Sequence, residues 1–288
     1  MNLSAKLALV TGSTSGIGQM FAYRLAAAGY NLVLVARREE LLKQMGDKLM
    51  AQYDIEVKYL VADLSCDNQI KKVENYISSL SRIDLLVNNA GFGVAGYFME
   101  VPIDEQMRMV NVHISSTIRF SKAVIPSMTR QGKGYIINLA SLAAFFELPG
   151  SVMYSTTKAA IVKFSQTLQK EVSSNGIKIQ ALSPGFTPTA FHSSIKRKAE
   201  FVDRIPAALW SSTEKVVDVS LAQLDRKRVI CVPGLLNTMI YQVSRLSLVS
   251  GLIDAVVGKG HKRQTAKPLL QKKPEFKVVP YDRNLSSI

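Results

Sequence analysis

Seven short runs rich in Val, Ile and Leu recur along this chain, each separated from the next by residues of different character. They are Leu7–Thr11, Asn31–Ala36, Glu56–Val61, Leu85–Asn88, Gly134–Ser141, Ile177–Ser183 and Val229–Val232. Near-continuous apolar runs mark strands covered on both faces, because a strand with one wet face alternates instead. Between them lie helical patterns at Gly16–Gly29, Glu39–Gln52, Asn68–Leu80, Glu105–Arg130 and Tyr154–Ser174. Strand–helix alternation of this kind leaves one architecture in front: an α/β, doubly wound, Rossmann-type parallel sheet with helices on both faces. Such a sheet takes its ligand outside the carboxyl ends of its strands, where the strand order reverses. A chain of 288 residues is long enough to bury a substantial core.

After Pro233-Gly234 the pattern changes. Leu235–Val257 is apolar but carries Arg245 and Asp254, and a basic tail follows. The expected organisation is therefore a single catalytic domain over residues 1–233 and a helical, basic C-terminal extension over 234–288. Of the net charge of +14, eight basic residues against two acidic ones from Lys259 onward contribute +6. No nucleic-acid reader motif accompanies that charge, so no nucleic-acid partner is expected. An anionic membrane surface or an anionic substrate suits it better, and peripheral membrane contact through the extension is the corresponding expectation. The two interrupting charges argue against a true span. Cys66 and Cys231 fit neither a metal-ligand spacing nor a disulfide framework, and the N-terminus shows no secretory pattern. A cytoplasmic location, peripheral to a membrane where the extension engages one, is expected. His113 and His192 have no partner spacing for a metal, and no metal is expected.

The first strand runs into Thr11-Gly12-Ser13-Thr14-Ser15-Gly16-Ile17-Gly18, within which a helix begins. Glycines permit a tight turn and close approach of a ligand to the backbone, and the helix start offers unpaired N–H groups to a pyrophosphate. At the end of the second strand, where an NAD enzyme would place a carboxylate, stand Ala36, Arg37 and Arg38. Guanidinium matches a 2′-phosphate, so NADP(H) is favoured, with Arg37 the stronger candidate and Arg38 read as the start of a solvated helix face. Tyr154 and Lys158, four apart on a helix, share a face. An ammonium beside a phenol is one means of lowering a tyrosine pKa toward neutrality, which carbonyl reduction requires of its proton donor.

These motifs together resemble the classical short-chain dehydrogenase/reductase family. The resemblance rests on T-G-x-x-x-G-x-G, Asn88-Asn89-Ala90-Gly91, Ser141, Tyr154-x-x-x-Lys158 and Pro184-Gly185 in order, and covers Ala5 to about Val232. It implies a hydride-transferring enzyme with Asn111, Ser141, Tyr154 and Lys158 as the catalytic group. Ser141 would orient the substrate oxygen, Lys158 would also grip the nicotinamide ribose, and Asn111 would hold a water that links the lysine to solvent. The same resemblance assigns cofactor contacts to Gly12, Ser13, Ser15, Gly16, Ile17, Gly18, Asp63, Leu64, Asn89, Ala90, Gly91, Pro184, Gly185, Thr187 and Thr189, with Asn88 structural. Asp63 as a loop cap, Ser141 as an ordinary strand-end serine and Asn111 as a buried amide remain open at this point. Phe191–Trp210, containing Lys196-Arg197-Lys198, would cover the substrate. The expected substrate is a hydrophobic carbonyl or alcohol of ketoacyl- or steroid-like type, and the expected assembly a homo-oligomer, dimer or tetramer. The competing reading is a catalytically silent NADP(H)-binding scaffold or sensor.

Overall fold

The computed structural model describes residues 6–94, 96–188 and 209–244. Seven parallel strands form one sheet in the order β3-β2-β1-β4-β5-β6-β7. They are β1 Leu7–Thr11, β2 Asn31–Ala36, β3 Val57–Val61, β4 Leu85–Asn88, β5 Gly134–Leu139, β6 Ile177–Leu182 and β7 Ile230–Cys231. The order reverses between β1 and β4, which pair directly, Leu9 beside Leu86 and Val10 beside Val87. Every residue of β1, β2 and β4 is buried, whereas β3 at the sheet edge leaves Tyr59 and Val61 exposed. Alternation along the strands divides the core in two. Ala8, Val10, Leu32 and Leu34 pack with Phe21, Leu25, Leu42 and Val217 on one face; Leu7, Leu9, Val33 and Val35 pack with Ile70, Val73, Phe120 and Val124 on the other.

The α-helices among the described residues are α1 Gly16–Ala27, α2 Glu39–Tyr53, α3 Asp67–Ser78, α4 Ile103–Val110, α5 Ser116–Gln131, α6 Val152–Val172, α7 Thr213–Ala222 and α8 Leu235–Ser244. The expected long helix from Glu105 to Arg130 is in fact α4 and α5 joined by a π-helical turn at Asn111–Ser115. One residue beyond the α repeat is absorbed there, a device common at functional sites. Strand β5 ends two residues earlier than expected. Ala140 still donates to Leu182 O, but Ser141 turns away and its hydroxyl accepts from the Ala143 N–H at 3.1 Å. Helix α8 packs inward through Asn237 and Tyr241, with the Tyr241 ring 4.7 Å from that of Phe145. By internal contacts the chain divides into Met1–Ser247 and Leu248–Ile288, the latter outside the described residues.

Candidate active site

The glycine turn is held by two strands at once. Gly12 N donates to Val35 O at 2.8 Å, anchoring it to β2, and Asn89 Nδ2 donates to Thr11 O at 2.8 Å and Gly12 O at 3.2 Å, anchoring it to β4. The Thr11 hydroxyl accepts from the N–H groups of Asn89 and Ala90, both at 3.0 Å. Gly12 sits at φ +65°, and a Cβ there would lie 2.8 Å from Asn89 Nδ2. A Cβ on Gly18 would also strike that amide, so neither position admits a side chain. Ser15 precedes α1 in extended backbone without capping it, and no acidic side chain stands in its first turn. The helix start is thus free to receive an anion. Ser13 Oγ is fully buried and has no hydrogen-bond partner among the described residues. Ile17 and Leu64 are buried.

Both arginines after β2 are exposed, and they diverge. Arg37 lies within electrostatic reach of Asp63. Burial alone would raise the Asp63 pKa, but the Ser65 N–H and hydroxyl and the charges of Arg37 and Arg108 together hold it below the usual carboxylate range. Asp63 Oδ1 accepts from Ser65 N at 2.9 Å, so it also caps its own loop. Arg38 is not simply solvated: its guanidinium reaches back to the Thr14 hydroxyl at 3.0 Å, closing the rim of the glycine turn. A turn that excludes side chains, an uncapped helix start, an orphan buried hydroxyl and two rim guanidinium groups fit a phosphorylated dinucleotide.

Across the switch point lies the second half of the site. Lys158 is 3% exposed, and its Nζ donates to Leu139 O at 2.8 Å, 5.8 Å from the Tyr154 ring centre. Burial of the ammonium, with no carboxylate beside it among the described residues, lowers its pKa to about 7. The Tyr154 pKa moves up, not down, because burial disfavours the phenolate; the hydrogen bond from the Ser141 hydroxyl pulls the other way. The lowering expected from the lysine is therefore absent in the free chain. Burial, opposed by Ser141, decides the direction for Tyr154.

The Asn111 side chain is anchored to the β3–α3 side of the site. Its Nδ2 donates to Ser65 O at 2.9 Å, fastening the π turn to the β3–α3 loop. The Asn88 amide donates to Asn138 Oδ1 at 2.9 Å, tying β4 to β5. Gly91 lies against Lys158, a Cβ there standing 3.7 Å from Nζ. Pro184 O accepts from Leu142 N, which joins the ends of β5 and β6. Gly185 is closed by α8, a Cβ meeting the Asn237 amide at 2.7 Å. Thr187 is buried and bonds Gly185 O. Thr189 and residues 191–208 of the expected cover, with Lys196-Arg197-Lys198, lie outside the described residues.

Beside Tyr154 a shallow depression open to solvent is lined by Val94, Phe98, Val101, Met109, Val152 and Met153, with Gln106 and Ser151 the polar side chains besides Tyr154 among the described residues. The residue that sequence reasoning set aside is His113. It is 2% exposed at the centre of the π turn, its ring edge-on to Tyr154 at 5.9 Å. Its position two residues after Asn111 was the only available signal.

Comparison with known proteins agrees with this geometry. The short chain dehydrogenase family model matches residues 6–200. The very-long-chain 3-oxoacyl-CoA reductase of Rattus norvegicus is 34% identical over 186 residues, 63% of this chain and 59% of the rat protein. The chain thus spans about three fifths of the length of that relative. An uncharacterized oxidoreductase of Staphylococcus aureus is 30% identical over 217 residues, 74% of this chain and 93% of that one. Among solved structures, a short-chain dehydrogenase from Sphingobium yanoikuyae in complex with NADPH superposes with a TM-score of 0.75 at 28% identity, covering 93% of this chain and all of the other. A bulky-bulky ketone specific alcohol dehydrogenase from Comamonas testosteroni gives 0.73 at 28% identity, over 93% of this chain and 98% of that one.

Proposed function

Given that the chain belongs to the short-chain dehydrogenase family, we propose that it is an NADPH-dependent oxidoreductase that interconverts a hydrophobic carbonyl compound and its alcohol. The observation that carries this reading is the convergence of Ser141, Tyr154 and Lys158 at the carboxyl end of β5, across the switch point from the glycine turn. The glycine turn and the start of α1 would hold the pyrophosphate of NADPH, which when bound would supply the hydride. Arg37 and Arg38 favour the 2′-phosphate, since a hydrogen bond to a charged group contributes about 1.5–3 kcal/mol, roughly tenfold to a hundredfold in affinity. The NADPH carried by the Sphingobium protein supports the same preference.

In the reducing direction, the Ser141 hydroxyl and the Tyr154 hydroxyl both donate to the substrate oxygen and fix it. As hydride reaches carbon, the Tyr154 proton passes to that oxygen. Lys158, with a pKa of about 7, then returns a proton to the phenolate and recovers its own from solvent. A donor that titrates near working pH is well matched to such a relay. Asn111 holds the π turn through its amide, and in this reading also the water that links the lysine to solvent.

The apolar lining beside Tyr154 and the acyl-thioester chemistry named for the rat relative point to a ketoacyl-type substrate. A homo-oligomer is part of the proposal, supported by Phe98, Met99, Ile103 and Met107, which are exposed on and just before α4. So is peripheral membrane contact, supported by Leu235, Leu236, Met239 and Val243 exposed along α8 and by the basic residues that follow in sequence. Among the described residues no helix is long and apolar enough to cross a membrane. The test is loss of nicotinamide absorbance with 3-oxoacyl thioesters, ketosteroids and small aldehydes, using NADPH and NADH in parallel. Turnover with NADPH that Tyr154→Phe reduces about 10²–10⁴-fold is expected. Tight NADPH binding with no turnover on any of them would leave the scaffold reading instead.

A further inference from the structure

The His113 ring is wired at both nitrogens. Nε2 accepts from the Phe92 N–H at 3.1 Å, and Nδ1 lies 2.9 Å from the Thr157 hydroxyl oxygen. That hydroxyl spends its only proton on the Tyr154 carbonyl oxygen at 3.0 Å. The proton between His113 and Thr157 must therefore sit on Nδ1, which makes the ring neutral with Nε2 bare. The ring also packs edge-on against Tyr154 and against Phe92 at 6.0 Å, and Nε2 would stand 3.0 Å from a Cβ on Gly91. One imidazole thus joins three pieces: the π turn, the Gly91-Phe92 loop after β4, and the first two turns of α6.

We propose that His113 is a positioning residue which, as the neutral Nδ1–H tautomer, locks the Tyr154 turn of α6 to the Gly91-Phe92 loop and so holds the phenol in register with the dinucleotide. This rests on the functional reading above for its catalytic consequence, but not for its tautomer. The titratable groups facing the ring are Tyr154 and Lys158, both from α6; the Gly91-Phe92 loop brings only backbone and the Phe92 ring. A second proton on the ring would remove the acceptor for Phe92 and set a cation near Lys158. Burial first, and Lys158 second, hold the His113 pKa well below its ordinary value.

The test begins with the ¹⁵N imidazole spectrum of the cofactor-free full chain, His113 being assigned by its loss in His113→Gln. A neutral Nδ1–H ring that does not charge between about pH 7 and pH 5.5, where a free histidine does, is expected. A ring protonated on Nε2, or one titrating near about 6.5 like a free histidine, would overturn the proposal whether or not any substrate is turned over. In steady state, His113→Phe should lower kcat up to about 10²-fold, as a misplaced catalytic group does, with little change in NADPH affinity. His113→Gln, which retains a donor and an acceptor, should recover part of the loss. Thr157→Val should reproduce it, and the double variant should be no worse than either single one, since both cut the same chain of bonds. Unchanged kcat in His113→Phe contradicts the proposal; if that variant fails to fold, the spectrum of the unaltered chain decides.

Discussion

A lysine buried without a carboxylate costs stability, and at position 158 the sign of that cost is measurable. Its folded pKa of about 7 lies below the ordinary 10.5, so across that window the unfolded chain binds a proton the folded chain does not. Stability from this group therefore rises with pH between 7 and 10.5, and falls as pH drops toward 7. Lys158→Met should raise the melting temperature of the cofactor-free chain at pH 7 by roughly 5 °C. It should also flatten the dependence at higher pH and abolish turnover. Calorimetry of the two proteins decides; a less stable variant would mean the bond to Leu139 outweighs desolvation. Arg37→Ala should weaken NADPH binding roughly tenfold to a hundredfold and leave NADH nearly unaffected, as titration calorimetry would show. Equal losses for both dinucleotides would argue that Arg37 acts only on Asp63. At this scale the sequence made Tyr154, Lys158 and Ser141 legible because their chemistry demands particular side chains. It did not reveal Arg38 on Thr14, Asn111 on Ser65 or His113 on Thr157, because each depends on a partner brought in from another element.

Among the elements, the strands and most helices were readable to within a few residues, since their apolar spacing is dictated by burial on one or two faces. The π turn was not, because one added residue barely disturbs the apolar pattern of a helix packed on both sides. It nevertheless decides which side chains of Asn111–Ser115 turn inward, Val112 and His113 being the buried pair. The glycine turn is the opposite case, where sequence alone carried the geometry. Gly18→Ala should destabilise the fold by about 1–3 kcal/mol, because the new methyl meets the Asn89 amide and the Gly12 carbonyl in a closed space. Chemical denaturation with and without NADPH would show that loss, together with weaker binding of the dinucleotide. An unchanged midpoint would mean that α1 shifts freely to accommodate the methyl.

For the whole molecule, one sheet and one reversal of strand order bring residues as distant as Thr11, Asn89, Ser141 and Lys158 to one edge. The extension has two characters: α8 fills the space beside Gly185 and Phe145, while the basic residues lie further on. A chain ending at Ser247 should keep its fold and lose binding to anionic vesicles, whereas one ending at Pro233 should be destabilised as well. Equal, negligible sedimentation of the full and shortened chains with phosphatidylserine vesicles would remove the membrane proposal. The central claim is tested most directly by following the hydride itself. With NADPH deuterated at the transferable position of C4 and an oxoacyl thioester or ketosteroid, mass spectrometry should find one deuterium on the carbinol carbon of the product, accumulating about 10²–10⁴-fold more slowly with Tyr154→Phe. Saturable NADPH binding with no deuterium passed to any carbonyl, or transfer by Tyr154→Phe at the unaltered rate, would contradict the account.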